Sequence, residues 1–242
     1  MPTSTPPGSL TTLADVHAVL DVAGAVGATL WLDGGWGVDA LVGEQTRVHG
    51  DLDVAVEERH LEALLTALRG KGFDRVGEES AAPWNFLLAC DRVVLDLHVV
   101  VLDAEGNGVL GPPERDAVYP AASLAGRGTV GGRAVRCIAA EHAVRFHDAY
   151  TGDAEDRRDV RALCDRFGLA VPQQYRVSRQ RLRTTAARDA GRRGAGTLAA
   201  GAAGAAGTVG TVGPVGPAGA ATGRSSWATA RSLFTASSAA TL

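Results

Sequence analysis

The chain has 242 residues and a mass of 24.9 kDa, with 45% hydrophobic and 21% charged residues, a formal net charge of -3 and a mean hydropathy of +0.03. This composition suits one catalytic-sized domain with appendages; it is too balanced in charge for a strongly basic nucleic-acid binder and too polar for a membrane protein. Residues 1–175 carry 15 basic and 26 acidic side chains while residues 176–242 carry 9 Arg against Asp189 alone, so the acidic part repels a nucleic-acid backbone and suits a polyphosphate neutralised by a divalent cation.

Residues 1–11, rich in Pro, Ser and Thr and without a basic leader, read as a disordered N-terminus. From Leu13 to Val26 apolar residues recur at helical spacing, and Thr12 followed by Asp15 resembles a helix start. Residues 29–32 form a short apolar run, predicted as a strand, that stops at Asp33-Gly34-Gly35. Residues 36–42 then make a brief helix ended by Gly43. Leu52, Val54 and Val56 alternate with Asp51, Asp53 and Ala55, which predicts a strand with one apolar and one acidic face. Leu61, Leu64, Leu65 and Leu68 mark an amphipathic helix.

Residues 84–89 and 93–101 read as a hairpin turning at Cys90-Asp91-Arg92. Its second strand puts Val93, Leu95, Leu97 and Val99 on one face and Asp96 and His98 on the other. Residues 103–132, rich in Gly and Pro, are expected to run over the surface; a strand over 133–139 and two helices over 141–150 and 155–167 follow. Gly168 and Pro172 close a domain predicted to span 12–172. Residues 173–242 form a tail, first Arg-rich and then Gly/Ala-rich, with 11 Gly and 10 Ala among residues 191–223. Such a composition buries too little to offset ordering entropy, so the tail is expected to be disordered. Glycine recurs every third residue from Gly201 to Gly219, but with only Pro214 and Pro217 to stiffen it this register reads as low complexity rather than collagen. Cys90, Cys137 and Cys164 are odd in number and lack metal-binding spacing, which argues against a disulfide framework or structural zinc. With no long apolar run, the chain is expected to be cytoplasmic.

The chemistry concentrates in two stretches. Asp51 and Asp53, two apart on a strand, point the same way and repel unless a cation sits between them. Gly34 and Gly35 stand between a strand and a helix, where bare backbone can approach a phosphate and the helix N-terminus favours negative charge. Asp96 supplies a third carboxylate. Arg47 and His49, in the loop before the acidic pair, suit either contact with triphosphate oxygens or anchoring of the loop. His98 shares a face with Asp96, as a structural histidine or as a group orienting the base or acceptor. Trp36 reads as core and Asp39 as a cap or supporting partner. Trp84, Asn85 and Phe86 suit the core or an acceptor platform, and His142, Arg145, Asp156 and Asp159 read as polar faces of the last helices.

A glycine pair, a DxD and a distant third carboxylate together resemble the nucleotidyltransferase superfamily related to DNA polymerase beta. Within it, WLDGGWGVDALVGEQTRVHGDLDVAV is similar to the small lincosamide nucleotidyltransferases, and next to the aminoglycoside 2''-nucleotidyltransferases. The resemblance spans residues 13–169. It implies an α+β, polymerase-beta-like fold in which helices flank a mixed sheet. It further implies Mg2+-dependent transfer of a nucleotide, AMP from ATP, to a hydroxyl of a small antibiotic, with lincosamide favoured and aminoglycoside next. In that reading Asp51, Asp53 and Asp96 hold a two-metal site, Asp96 is also the base, and Gly34, Gly35, Arg47 and His49 bind the nucleotide. The expected partners are the antibiotic and a nucleoside triphosphate, with no nucleic acid or membrane; monomer and homodimer both stay open. A competing class is a nucleotidyltransferase-like protein that modifies or binds another protein, of toxin–antitoxin type, with the basic tail as a docking arm. The complete set of glycines and carboxylates favours the enzyme.

Overall fold

The structure, a computed structural model, describes residues 8–77, 82–112 and 117–176. Helix α1 (Leu13–Ala25) begins with a reciprocal capping box in which the Thr12 hydroxyl accepts from the Asp15 amide and the Asp15 carboxylate accepts from the Thr12 amide at 2.8 Å. Strand β1 (Leu30–Leu32) runs into α2 (Gly34–Val42), which Gly43 terminates in the left-handed region. Strand β2 (Leu52–Glu57), α3 (Glu58–Arg69) and β3 (Asp74–Val76) follow. The expected hairpin is β4 (Asn85–Cys90) and β5 (Val93–Leu102), with Asp91 at a φ of 52° in its turn. Strands β6 (Gly108–Leu110), β7 (Val118–Tyr119), β8 (Gly126–Val130) and β9 (Arg133–Cys137) precede α4 (Ala140–Asp148) and α5 (Ala154–Phe167).

Among the described residues these strands form one sheet in the order β3-β4-β5-β2-β1-β9-β8, with β6 also paired to β5 and to β7. The β2/β5 and β1/β9 pairs are parallel and the others antiparallel, so the sheet is mixed. Alternation along the strands divides the core. Leu52, Val54, Val56, Leu95 and Leu97 pack with Val16 and Val19 of α1 and Leu64 and Leu68 of α3, and Ala55 and Val100 pack with Val144 of α4 and Val160 and Leu163 of α5. Asp53, two residues before Ala55, and Asp96 and His98, ahead of Val100, lie on this second face. The acidic face read from the sequence is therefore no open solvent surface: Asp53, Asp96 and His98 on it are buried.

Five expectations change. Helix α2 starts at Gly34 rather than Trp36, because Asp33 caps it and leaves the glycines in its first turn. The surface run expected over 103–132 contains β6, β7, β8 and a 3-10 turn at Ser123–Ala125, since edge pairing on β5 and β9 gives these Gly-rich segments a hydrogen-bonding partner. Strand β3 had no sequence signal, its three residues being largely exposed. Thr11, placed in the disordered N-terminus, is buried and bridged to His49; residues 1–7 lie outside the described residues. The chain also continues in order past Pro172. Tyr175 closes a 3-10 turn, Gln173–Tyr175, buries its ring beside Val160 and Leu163, and donates its hydroxyl to the His147 carbonyl at 2.6 Å. The low-complexity part of the tail lies outside the described residues.

Tyr175→Ala in the full chain is expected to lower unfolding free energy by about 3 kcal/mol, as for other buried aromatics, and Tyr175→Phe by about 1 kcal/mol for the lost hydrogen bond. Denaturant titration checks both, and an unchanged midpoint for Tyr175→Ala would show that the domain ends before this turn.

Candidate active site

The site begins where β1 ends. The Asp33 amide donates to the Asp53 carbonyl at 2.9 Å, and Asp33 Oδ1 accepts from the Gly34 amide at 2.9 Å, so one residue sets α2 against β2 and caps the helix. Gly34 sits at a φ of +51° and a β-carbon there would collide with the Asp53 carboxylate; at Gly35 it would collide with the His49 ring and the Arg47 guanidinium. The pair is glycine because the acidic strand and the loop before it occupy the space a side chain needs.

Asp53 and Asp96 are register partners on parallel β2 and β5, and His98 pairs with Ala55 two residues further on. Asp53, Asp96 and His98 are only 5%, 2% and 3% exposed, and one ligand atom from each lies within 4.8 Å of the others. Asp51 stands just before β2, half-buried, and its charge acts on Asp53 from the rim of this trio.

Burial, then the charges of Asp51 and Asp96, hold the Asp53 carboxyl well above its ordinary range. Burial alone would depress His98, but the Asp96, Asp33 and Asp53 carboxylates outweigh it and hold the ring at about 9. In the metal-free protein His98 is thus the positive charge among the carboxylates. Burial and the Asp33 charge push Tyr119 far up, so it remains a hydroxyl. Tyr119 donates to Asp33 Oδ2 at 3.0 Å and lies 2.6 Å from His98 Nδ1. The Asn85 amide donates to Asp96 Oδ1 at 2.9 Å.

The loop residues are held by α5 and α2. Arg47 Nε and Nη2 donate to Asp159 at 3.2 and 2.9 Å, and its Nη1 pairs with Glu155 at 3.1 Å. His49 Nε2 bonds Asp39, which also accepts from the Thr46 hydroxyl at 2.6 Å, and the His49 ring leans on Trp36 with centroids 4.7 Å apart. Both candidate nucleotide contacts are therefore anchored, and anchored against Gly35. Trp36 is core, as expected, and Asp39 is a supporting partner. Phe86 lies in the core on the α1/α3 side, whereas Asn85 faces Asp96. The sequence reading missed Tyr119, which sits in a two-residue strand without periodicity, and the roles of Asp33 and Asp159, whose partners are 86 and 112 residues away.

Residues 15–163 match the profile of the aminoglycoside-2''-adenylyltransferase family. The chain belongs to this family. A lincosamide resistance protein of Staphylococcus haemolyticus is 28% identical over 150 residues, covering 62% of this chain and 92% of the relative. A 2''-aminoglycoside nucleotidyltransferase of Klebsiella pneumoniae is 32% identical over 125 residues, 50% of this chain and 64% of the relative, so the chain spans just under two thirds of that protein. The lincomycin-bound lincosamide antibiotic adenylyltransferase LnuA superposes with a TM-score of 0.57 at 27% identity, over 64% of this chain and 98% of the other. ANT(2'')-Ia in complex with adenylyl-2''-tobramycin gives a TM-score of 0.53 at 21% identity, over 75% and 98%, which shows the shared fold. The α+β nucleotidyltransferase fold expected from the sequence is the fold observed. No helix among the described residues is long and apolar enough to cross a membrane.

Because the Asp53 carboxyl is raised, its ionisation opposes folding, with the penalty absent near pH 3.8 and complete above the folded-state value. In chelator, Asp53→Asn is expected to raise the melting temperature at neutral pH, and the gain should shrink as pH falls toward 4. A lower melting temperature at pH 7 would contradict the repulsion between these carboxylates.

Proposed function

We propose that this protein transfers AMP from ATP to a hydroxyl of a small antibiotic, a lincosamide before an aminoglycoside, and releases pyrophosphate. The observation that carries the reading is the pairing of Asp53 with Asp96 across β2 and β5, beside the glycine-led start of α2, in a chain of this family. Lincosamide takes precedence because the lincosamide relative is matched over 92% of its length, against 64% for the aminoglycoside relative. With ATP as donor, the compartment that fits this reading is the cytoplasm.

The residues fit a divalent cation: the donors are hard carboxylate oxygens, and the like-charge penalty on Asp53 is one that a cation removes. Asp53 and Asp96, with Asp51 at the rim, would hold Mg2+, which when bound neutralises triphosphate charge and aligns attacking and leaving oxygens. Gly34 and Gly35 let Asp53, His49 and Arg47 pack against the first turn of α2, whose N-terminal dipole favours the phosphates. Arg47, held by Asp159 and Glu155, ends its guanidinium against Gly35. Asn85 orients the Asp96 carboxylate, which takes the proton of the acceptor hydroxyl. The acceptor oxygen then bonds to the α-phosphorus as the bond from that phosphorus to the bridging oxygen breaks, and the electron pair leaves with pyrophosphate.

Incubation with ATP, Mg2+ and a panel of lincosamides and aminoglycosides, read by mass spectrometry, is expected to show the gain of one adenylyl group on a lincosamide. Asp96→Asn is expected to lower turnover by roughly a hundredfold or more, with ATP affinity measured by calorimetry falling much less than the rate. Failure to modify any compound of either class would overturn the reading, and an Asp96→Asn enzyme with normal turnover would remove Asp96 as the base.

A further inference from the structure

We propose that His98 is itself a metal ligand through Nε2, giving a mixed oxygen and nitrogen site that binds Mn2+ more tightly than the carboxylates alone would. The inference rests on the metal site placed at Asp53 and Asp96 above, and adds to it a donor of a different chemical kind.

His98 Nε2 is buried and meets no hydrogen-bond partner; the nearest carboxylate oxygen, Asp96 Oδ1, stands 3.5 Å away, at ion-pair distance and outside hydrogen-bond geometry. A buried polar atom left in this way is costly unless something else binds it. Its aim is set from the far side of the ring. Tyr119 commits its proton to Asp33 Oδ2, so the 2.6 Å contact between Tyr119 and His98 requires Nδ1 to be the donor. Asp33 is fixed in turn by the Gly34 amide. With Nδ1 carrying the hydrogen, the neutral ring has its lone pair on Nε2, the nitrogen that meets Asp96 Oδ1 at 3.5 Å, and His98 groups with Asp53 and Asp96. A histidine whose second nitrogen is held by a hydrogen-bonded carboxylate relay is the usual support for a metal-binding imidazole. Mg2+ gains little from a nitrogen donor, whereas Mn2+ accepts imidazole together with carboxylates.

The test uses the full chain loaded with one equivalent of Mn2+, with pulsed electron paramagnetic resonance reading 14N coupling to the metal and calorimetry reading Mn2+ and Mg2+ affinity. The wild type is expected to show a histidine nitrogen coupling that His98→Gln removes, with Mn2+ affinity falling about tenfold or more and Mg2+ affinity changing much less. Tyr119→Phe keeps the ring but releases its orientation, and is expected to weaken Mn2+ binding by about tenfold to a hundredfold. It also keeps the proposal testable if His98→Gln fails to fold. Mn2+ bound with no nitrogen coupling, its affinity still lost in Asp53→Asn, would overturn the His98 assignment and leave the carboxylate site standing. Mn2+ binding indifferent to Asp53→Asn would overturn both.

Discussion

Two carboxylates buried side by side are the constraint on which this site depends. Asp53 and Asp96 are opposed on adjacent parallel strands with almost no exposure, an arrangement that water cannot screen and that hydrophobic packing cannot stabilise. Each group around them supplies charge or a hydrogen bond. His98 is drawn into its cationic form, Asn85 donates to Asp96, and the positive end of α2 begins where β1 stops. Gly34 is the steric counterpart of the same constraint, since the space its side chain would take is the space Asp53 occupies. Glycine pair and acidic strand are therefore one feature in three dimensions, although the rest of α2 and the loop after it lie between them in the chain.

A second layer holds the loop that joins α2 to β2. Arg47 reaches α5 through Asp159 and Glu155, and His49 reaches back to α2 through Asp39. Such partly buried pairs contribute little net stability against an apolar replacement, yet losing one partner leaves the other unpaired, at a cost of about 3–5 kcal/mol for a buried pair. Their value lies in position: both side chains end against Gly35, at the helix terminus proposed to receive the phosphates. The helices after β9 thus close the second core and also brace the loop carrying the acidic motif.

Where residues carry their own periodicity, the sequence shows the structure. The capping box at Thr12 and Asp15, the Leu61 to Leu68 helix and the β4/β5 hairpin were all legible because local spacing specifies them. The carboxylate set was legible because Asp53 and Asp96 interrupt strands of Val and Leu. Tyr119 was not, because its position depends on edge pairing of β7 to β6 within a Gly-rich and Pro-rich stretch that carries no pattern of its own. Asp33 and Asp159 stayed hidden for a related reason, their partners being supplied by distant chain. The face of His98 is legible in the sequence, but a ring nitrogen without a hydrogen bond is not, and only the packing of Tyr119 against Asp33 sets it.

On this reading the buried carboxylates hold the cation that positions a nucleotide at the start of α2. A crystal structure of the protein with Mn2+ and a non-hydrolysable ATP analogue, with anomalous scattering recorded at the manganese edge, tests it most directly. The expected result is an anomalous peak within coordinating distance of Asp53 and Asp96, with the triphosphate at Gly34 and Gly35. A nucleotide bound elsewhere on the molecule, or one bound at the glycines with its metal held by other residues, would contradict it.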